Sequence, residues 1–287
     1  MRDPESRSLR MNLAAKSKLA RQLQAQLLES AKESSVEVCN YRLMHQSDRH
    51  FSLPNVSSSF LEYQNLFSQI YDATKNGAKQ RPRIGAEAWQ ESMLEIGYTY
   101  SGSLGIVLLV PSERNLFDGN LDKSIDALFR VVEINNRESV REVGRTLGNA
   151  VVKRAHDWSH ANVKGGFSAD VRWNRADGRL FGQVITYERM ADIVDIIEAT
   201  SDEKTENINV IGMLVGINLK AGTFHLVMPN GPDFRGALST EFSRDAIVEV
   251  GKSYVATVVQ STTTHYATEM TDLKHSLVQL REIPKKD

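Results

Sequence analysis

Apolar side chains recur at helical spacing through the first 35 residues of the chain. On a helical wheel they form one stripe, which consists of Leu9, Leu13, Ala20, Leu23, Leu27 and Ala31. Such a stripe is typical of a helix that buries one face against a neighbour. We therefore predict an N-terminal amphipathic helix within residues 1–35, docked on the rest of the chain or on a second copy of it.

Between residues 36 and 200, segments with a period of two alternate with segments of helical period. The pattern predicts strands at 36–43, 103–110, 167–173 and 180–186, and helices at 59–76, 86–96, 121–134, 139–161 and 187–199. Period-two spacing indicates half-buried strands, whereas apolar residues three and four apart indicate amphipathic helices. Residues 36–200 are therefore predicted to form an α+β domain.

Two local signals fix the ends of elements in this domain. Ser59 and Glu62 have capping-box spacing, which predicts that a helix begins at Ser59, and Gly77 is the glycine expected at its C-terminal end. Asp177 and Gly178 form a pair that favours a two-residue type I′ turn. This pair predicts a tight hairpin between the strands at 167–173 and 180–186.

The C-terminal part of the chain has the pattern of a small all-β module. Residues 201–207 are polar throughout and are predicted to be a linker. Short strands follow at 211–219, 224–228, 234–238, 254–260 and 276–283. Five strands are too few for an immunoglobulin-type sandwich, and closure into a barrel would remove exposed edges. We predict a five-stranded OB-like or SH3-like β-barrel over 208–287.

The charge balance argues against a protein dedicated to nucleic-acid binding. The chain carries 35 lysines and arginines against 36 acids, a formal net charge of −1. The predicted barrel carries eight bases and eight acids. Affinity for nucleic acids comes mainly from neutralised phosphates, so binding would need a local basic patch.

The number of cysteines and the lengths of the apolar stretches indicate the cellular compartment. Cys39 is the single cysteine of the sequence, which excludes an internal disulfide and fits a reducing compartment. No apolar run near the N-terminus has the length of a signal peptide, and the longest apolar stretch, 106–111, is far below the roughly 20 residues that cross a bilayer. We expect a cytoplasmic protein with no membrane contact.

One local basic patch is predicted nevertheless. On a single helix over 139–161, the basic side chains and both histidines would share a sector opposite a valine-rich face. Together with bases of the segment before residue 84, this ridge is an alternative nucleic-acid interface. Its residues are Arg137, Arg141, Arg145, Lys153, Lys75, Lys79, Arg81 and Arg83.

The helix predicted at 187–199 carries a row of acids opposite its apolar face. The row consists of Glu188, Asp192, Asp195 and Glu198. Carboxylates in a row could hold a divalent cation. Complementary charged faces more commonly dock on each other or on another protein, and the basic ridge offers such a partner. We favour docking over a metal.

His156 and His160 are four residues apart, so one helix face would carry both imidazoles. That spacing occurs in zinc hydrolases, in which a glutamate follows the first histidine. Here Asp157 takes that position, one methylene shorter, and no third ligand has a recognised spacing. A metal-dependent hydrolase at His156 and His160 is therefore the third alternative. We expect both imidazoles to lie on the solvated face of the helix.

Two further sequence motifs are excluded because the residues around them do not match the full pattern. Gly251-Lys252-Ser253 resembles the end of a phosphate-binding loop, but the required upstream glycine is Ala246 and a strand follows. Ser101-Gly102-Ser103-Leu104-Gly105 lacks the first glycine of a nucleophile elbow and also leads into a strand. We accordingly predict no catalytic residue and no cofactor.

These observations favour a non-catalytic intracellular protein that binds other macromolecules, as a regulatory protein or the subunit of a complex. Its partner would be another protein or a second copy, bound through the N-terminal helix and the C-terminal barrel. Nucleic acid is the alternative partner.

Overall fold

A computed structural model describes residues 22–23, 25–31, 33–34, 36–45, 51–100, 104–111, 119–175, 177–229, 231–243, 247–268 and 270–283. The chain divides into two compact units, Met1–Ala199 and Thr200–Asp287. The first unit combines helices with an antiparallel sheet, and the second contains a closed five-stranded barrel. The predicted α+β fold class with a small β-barrel is thereby confirmed.

The sheet of the first unit has the strand order β2-β3-β1-β4-β5, and every neighbouring pair is antiparallel. Its strands are β1 (Val36–His45), β2 (Glu95–Tyr100), β3 (Leu104–Pro111), β4 (Phe167–Asn174) and β5 (Leu180–Ile185). β1 is central, and its residues 37–41 are all buried. The sequence did not predict β2. The sequence predicted a helix that continues through residue 96, but the strand begins at Glu95, and its described side chains are all exposed.

The helices of this unit are α1 (Leu53–Asn76), α2 (Ala86–Glu91), α3 (Asn120–Val132), α4 (Arg137–Leu147), α5 (Asn149–Gly165) and α6 (Tyr187–Glu198). α1 packs on α5, and α5 packs on α6. The predicted apolar face of α6 is confirmed, since Met190, Ile193, Val194 and Ile197 are buried.

The predicted start of α1 at Ser59 is wrong. The helix begins at Leu53, with a proline in its first turn, where the missing N–H costs no helical hydrogen bond. Ser59 lies inside the helix and is fully buried. Its hydroxyl bonds across the core to other elements instead of capping the helix. The predicted end is confirmed, because Gly77 follows the helix with φ +90°.

A closed ring of hydrogen bonds joins β1, α1 and α5 in the core. The indole N–H of Trp158 donates to the Tyr41 hydroxyl (2.9 Å), which donates to Ser59 Oγ (3.0 Å). Ser59 donates to Asn162 Oδ1 (2.8 Å), and Asn162 Nδ2 returns to the carbonyl of Trp158 (2.8 Å). Burial raises the pKa of Tyr41 to about 12, so its hydroxyl stays a neutral donor. Every polar atom of the ring thus has a partner, as buried polar groups require.

The helix predicted over 139–161 is two helices. α4 ends at Leu147 and α5 begins at Asn149, with Gly148 between them at φ +93°. Glycine adopts this left-handed backbone without the steric cost of a β-carbon. A helical wheel drawn across 139–161 is therefore invalid, because the two halves do not share an axis.

The predicted β4–β5 hairpin is confirmed, but its turn is wider than predicted. The N–H of Arg175 donates to the carbonyl oxygen of Arg179 (2.9 Å), and Gly178 has φ +89°. The connection between the two strands therefore contains more than the two residues of a type I′ turn.

The N-terminal helix lies partly outside the described residues, and of its predicted stripe only Leu23, Leu27 and Ala31 are described. Residues 22–23, 25–31 and 33 are helical. Leu27, Leu28 and Ala31 pack against Val38 of β1 and Val107 of β3, whereas Leu23 is exposed. The described part of this helix therefore docks on the sheet of its own chain.

The barrel of the second unit has the order β10-β8-β7-β6-β9 and closes through β9 and β10. Its strands are β6 (Ser201–Asn218), β7 (Thr223–Val227), β8 (Phe234–Leu238), β9 (Ser253–His265) and β10 (Thr271–Glu282). β8 and β10 are parallel, and the other pairs are antiparallel. The barrel core contains Leu214, Phe224, Leu226, Phe234, Tyr254, Val258 and Leu277.

Residues 201–207 are not a linker but the first part of β6, paired with residues 259–265 of β9. Residues 202–207 are exposed, which explains why the stretch contains no apolar residue. Charged side chains are common on exposed strand edges, where they discourage pairing with other chains.

No helix of the described residues is both long enough and apolar enough to cross a membrane.

Candidate functional site

The basic ridge does not form a continuous strip of free cations. On α4, Glu138 pairs with Arg145 and lies 3.9 Å from Arg141. On α5, Lys153 pairs with Asp157. Local ion pairs therefore occupy three of the four helical bases. Arg137, the first residue of α4, is exposed.

The bases before residue 84 divide into two kinds. Lys75 contacts Glu91 (2.7 Å) and Glu87 (3.0 Å), and these hydrogen bonds raise the pKa of its ammonium group. Lys79 pairs with Asp72, whose side chain is fully buried. Arg81 and Arg83 are exposed and make no ion pair with any other described residue.

The structure brings Lys79 to the junction of α4 and α5. Its carbonyl oxygen accepts a hydrogen bond from the N–H of Ala150 (3.0 Å). Its ammonium group holds Asp72, which also accepts from Asn76 (2.7 Å) and from the N–H of Gly85 (3.3 Å). Burial raises the pKa of Asp72, but these hydrogen bonds outweigh burial and lower it overall. These contacts hold the segment that follows α1 against α1 and against the start of α5.

The two histidines differ in exposure, contrary to the expectation that both lie on a solvated face. Their rings stack on α5 with centroids 5.8 Å apart, as spacing four predicts. His160 is exposed, whereas His156 is 8% exposed because α6 packs over it. His156 Nε2 lies 3.1 Å from Glu198 Oε1, and Nδ1 lies 3.4 Å from Asp157 Oδ1. One basic-face residue thus meets one member of the acidic row, as the docking hypothesis predicts.

This arrangement suits ion pairing more than metal binding. Both ring nitrogens of His156 face a carboxylate, and Asp157 is shared with Lys153. Within the described ranges, no three His, Cys, Asp or Glu side chains converge in a way that could hold a metal ion. A structural zinc site needs four ligands and a catalytic one at least three.

The pKa of His156 has opposing causes. Burial lowers it, but hydrogen bonds to Asp157 and Glu198 raise it more, so the folded-state pKa lies above the ordinary value. The contribution of this cluster to stability is therefore complete below about pH 6.5, the ordinary imidazole pKa. It is lost as the pH rises through the raised folded-state pKa.

We expect His156→Gln to lower the free energy of unfolding by about 1 kcal/mol below that pH, since exposed and half-exposed ion pairs contribute on this scale. The difference from the unsubstituted protein should shrink at alkaline pH. Urea unfolding from acidic to alkaline pH measures it, with His160→Gln as the exposed control. A His156→Gln deficit that does not depend on pH would contradict a charged cluster.

The sole thiol of the chain is structural. Cys39 is fully buried in β1, and its Sγ lies 3.4 Å from the hydroxyl of Tyr63, which accepts from the Trp173 indole (2.9 Å). Burial raises the pKa of Cys39 to about 12, so the reactive thiolate is not formed near neutral pH.

A feature that was not predicted from the sequence lies on the outer face of the barrel. Ile211, Met213 and Val215 of β6 are 56%, 42% and 39% exposed, while Leu214 between them is fully buried. Met213 pairs with Val227 of β7, and Ile211 pairs with Val255 of β9. Paired residues share a face of the sheet, so these five side chains form one apolar surface, which we call the β6 face.

The sequence does contain a signal for the β6 face. Seven of the ten residues 208–217 are apolar, and the other three are Asn209, Gly212 and Gly216. A strand with one solvated face alternates, whereas a strand covered on both faces reads as a continuous apolar run. The side chains of this run that point outward are not covered by any described residue of the barrel.

Comparison with known proteins gives no independent indication of function: no protein-family model matches the chain, and no curated protein or solved structure is significantly similar to it.

Proposed function

We propose that the chain is a non-catalytic cytoplasmic protein that binds another protein through the β6 face, as a subunit or regulator of a complex. The exposed row of Ile211, Met213 and Val215 carries this proposal. Contiguous apolar surface on a folded domain is characteristic of interaction sites, because burying it in a complex is favourable.

The charges around the barrel favour a protein partner over nucleic acid. The region 208–287 has equal numbers of acids and bases. His225 and Arg235, beside the β6 face, both contact Asp233 (3.0 and 3.3 Å). An apolar centre with a rim of paired polar groups is the usual anatomy of a protein interface. Cytoplasmic location rests on the single buried cysteine, which fits a reducing compartment.

The test compares two double variants of the full chain. Ile211→Asp with Met213→Asp places two charges on the β6 face. Thr205→Asp with Asn207→Asp places two on exposed positions further along the same strand. Partners captured from native lysate are identified with the unsubstituted protein, and the purified partner is then titrated calorimetrically against all three proteins.

We expect the first double variant to lose at least tenfold in affinity, which is about 1.4 kcal/mol, and the second to bind normally. Equal binding by both variants would locate the interface elsewhere, and capture of no partner would count against a binding role.

Nucleic-acid binding is the second candidate, supported by Arg81 and Arg83, which are exposed and form no ion pair within the described part of the chain. A gel shift with mixed RNA and DNA at low salt tests it, because electrostatic affinity is greatest there. A metal-dependent hydrolase at His156 and His160 is the third candidate, tested by metal analysis of the purified protein.

A further inference from the structure

The C-terminal end of α1 carries an Asn-Gly pair, the dipeptide in which asparagine is chemically least stable. Asn76 is the last residue of the helix and Gly77 follows it, and both are exposed. Deamidation begins when the backbone nitrogen of the next residue attacks the side-chain amide carbon of asparagine. Glycine favours this attack, because it has no β-carbon to hinder it and its backbone reaches the conformations that ring closure requires.

The surroundings of this pair leave room for the reaction. No atom of the described residues lies within 4 Å of the position that a β-carbon of Gly77 would occupy. The N–H of Gly77 donates to the carbonyl of Ala73 (2.9 Å), a hydrogen bond at the very end of α1. Because helix ends fray, this bond opens more often than bonds in the middle of the helix. Each opening lets Asn76 leave its helical conformation.

Asn76 also belongs to the cluster of contacts around Asp72. Its Nδ2 donates to Asp72 Oδ1 (2.7 Å), and Lys79 pairs with Oδ2 of the same carboxylate. The side chain of Asp72 is fully buried, so its charge is stable only while such donors surround it. Deamidation replaces the donating amide with a second carboxylate beside the first. Two like charges in contact repel each other strongly where water is excluded.

We propose that Asn76 is a site of spontaneous deamidation, which releases the segment after α1 from Asp72. The nitrogen of Gly77 attacks Cγ of Asn76 and closes a succinimide ring, and the side-chain nitrogen leaves as ammonia with the proton of the Gly77 N–H. Water then adds across one of the two C–N bonds of the ring, which gives aspartate or isoaspartate at position 76. Both products carry the repelled carboxylate, and isoaspartate also lengthens the backbone. The first unit therefore loosens irreversibly as the chain ages.

Incubation of the full chain at mildly alkaline pH tests the reaction, since attack by the Gly77 nitrogen requires loss of its proton. Peptide mapping by mass spectrometry should show conversion of amide to acid at position 76, and it separates this site from the second Asn-Gly pair of the sequence, 230–231. A synthetic peptide of residues 73–79 gives the rate without the fold. The protein should react more slowly than the peptide, because α1 must fray first. Intact Asn76 in the protein after many half-times of the peptide would overturn the proposal.

Asn76→Asp tests the consequence in freshly made protein. This variant should unfold at a lower urea concentration, and the amide of Gly85, which donates to Asp72 (3.3 Å), should exchange its hydrogen faster. Asn65→Asp is the matched control on the same helix. Its Nδ2 donates to Glu62 (3.1 Å), a carboxylate whose side chain is 23% exposed, so water screens the new repulsion. Equal stability and equal exchange at Gly85 in both variants would contradict release from Asp72.

Asn76→Gln separates ageing at this site from other damage. Glutamine keeps the side-chain amide but closes the corresponding six-membered ring far more slowly. During the same incubation, the unsubstituted protein should lose stability in urea while Asn76→Gln keeps the midpoint with which it began. Parallel losses in both proteins would show that deamidation of Asn76 does not loosen the first unit.

Discussion

Replacing Gly148 with alanine should destabilise the first unit by about 3 kcal/mol or more, one of the largest effects expected of a small substitution in this chain. Two costs combine. The backbone has φ +93°, which strains any residue with a β-carbon. The new β-carbon would also overlap the backbone nitrogen and carbonyl group of Lys79, whose carbonyl carbon would be 2.9 Å away.

The overlap matters because Lys79 cannot move without losing other contacts. Its carbonyl bonds to Ala150, and its ammonium group neutralises the buried Asp72. Displacing it would leave the buried Asp72 carboxylate without its counter-ion, which is strongly destabilising.

Gly77→Ala is the matched control, because its φ is +90° but no atom of the described residues would lie within 4 Å of the new β-carbon. It should cost only the backbone strain, about 1 kcal/mol. Urea unfolding of both variants measures the difference. Equal destabilisation would show that the contact between Gly148 and Lys79 contributes nothing.

Gly236→Ala should open the barrel between β8 and β10. A β-carbon at this position would meet the backbone of His275, overlapping its carbonyl oxygen and lying 2.8 Å from the carbonyl carbon. Rigid backbone occupies that space, so the two strands would have to separate. Because the parallel pairing of β8 with β10 is part of the closed ring of strands, we expect a loss of about 3 kcal/mol or more in the second unit.

Hydrogen exchange locates the effect of this substitution. Amides of β8 and the middle of β10 should lose protection, while amides of β1 and β4 in the first unit keep theirs. Gly216→Ala in β6 is the control, since no described atom would lie within 4 Å of the β-carbon that this substitution adds. Unchanged protection in β8 and β10 of Gly236→Ala would contradict the tight approach of these strands.

Elements that bury one regular face were predictable from the sequence. The strands β7 and β8 and the helix α6 show clean periods of two and of three to four, and the structure contains them near the predicted positions, whereas β6 begins ten residues before its predicted start. The end of α1 was also predictable, because a glycine at the C-terminus of a helix has a conformational reason that depends on neighbouring residues alone.

The errors arose where a tertiary contact decides what a residue does. Ser59 has the local spacing of a helix cap, but its hydroxyl completes a ring with Tyr41 and Asn162, which are distant in sequence. Gly148 interrupts a helical pattern because a separate segment, at Lys79, crosses there. Neither partner is visible in the local sequence.

In the candidate site, too, local spacing was predictable and tertiary contacts were not. The spacing of His156 and His160 correctly placed both rings on one helix face. Their different exposure depends on α6, which covers His156 and leaves His160 in solvent. On β6, alternation predicted a strand, but only the closed barrel shows that Leu214 points inward and Met213 outward.

The most direct test of protein binding through the β6 face is site-specific photocrosslinking in living cells. A benzophenone amino acid at position 213 should form covalent adducts of defined mass with a partner protein, because that side chain points outward from the apolar centre of the face. The same group at position 205, exposed on the same strand, should form none. Absence of adducts from position 213, or identical adducts from both positions, would contradict the proposed interface.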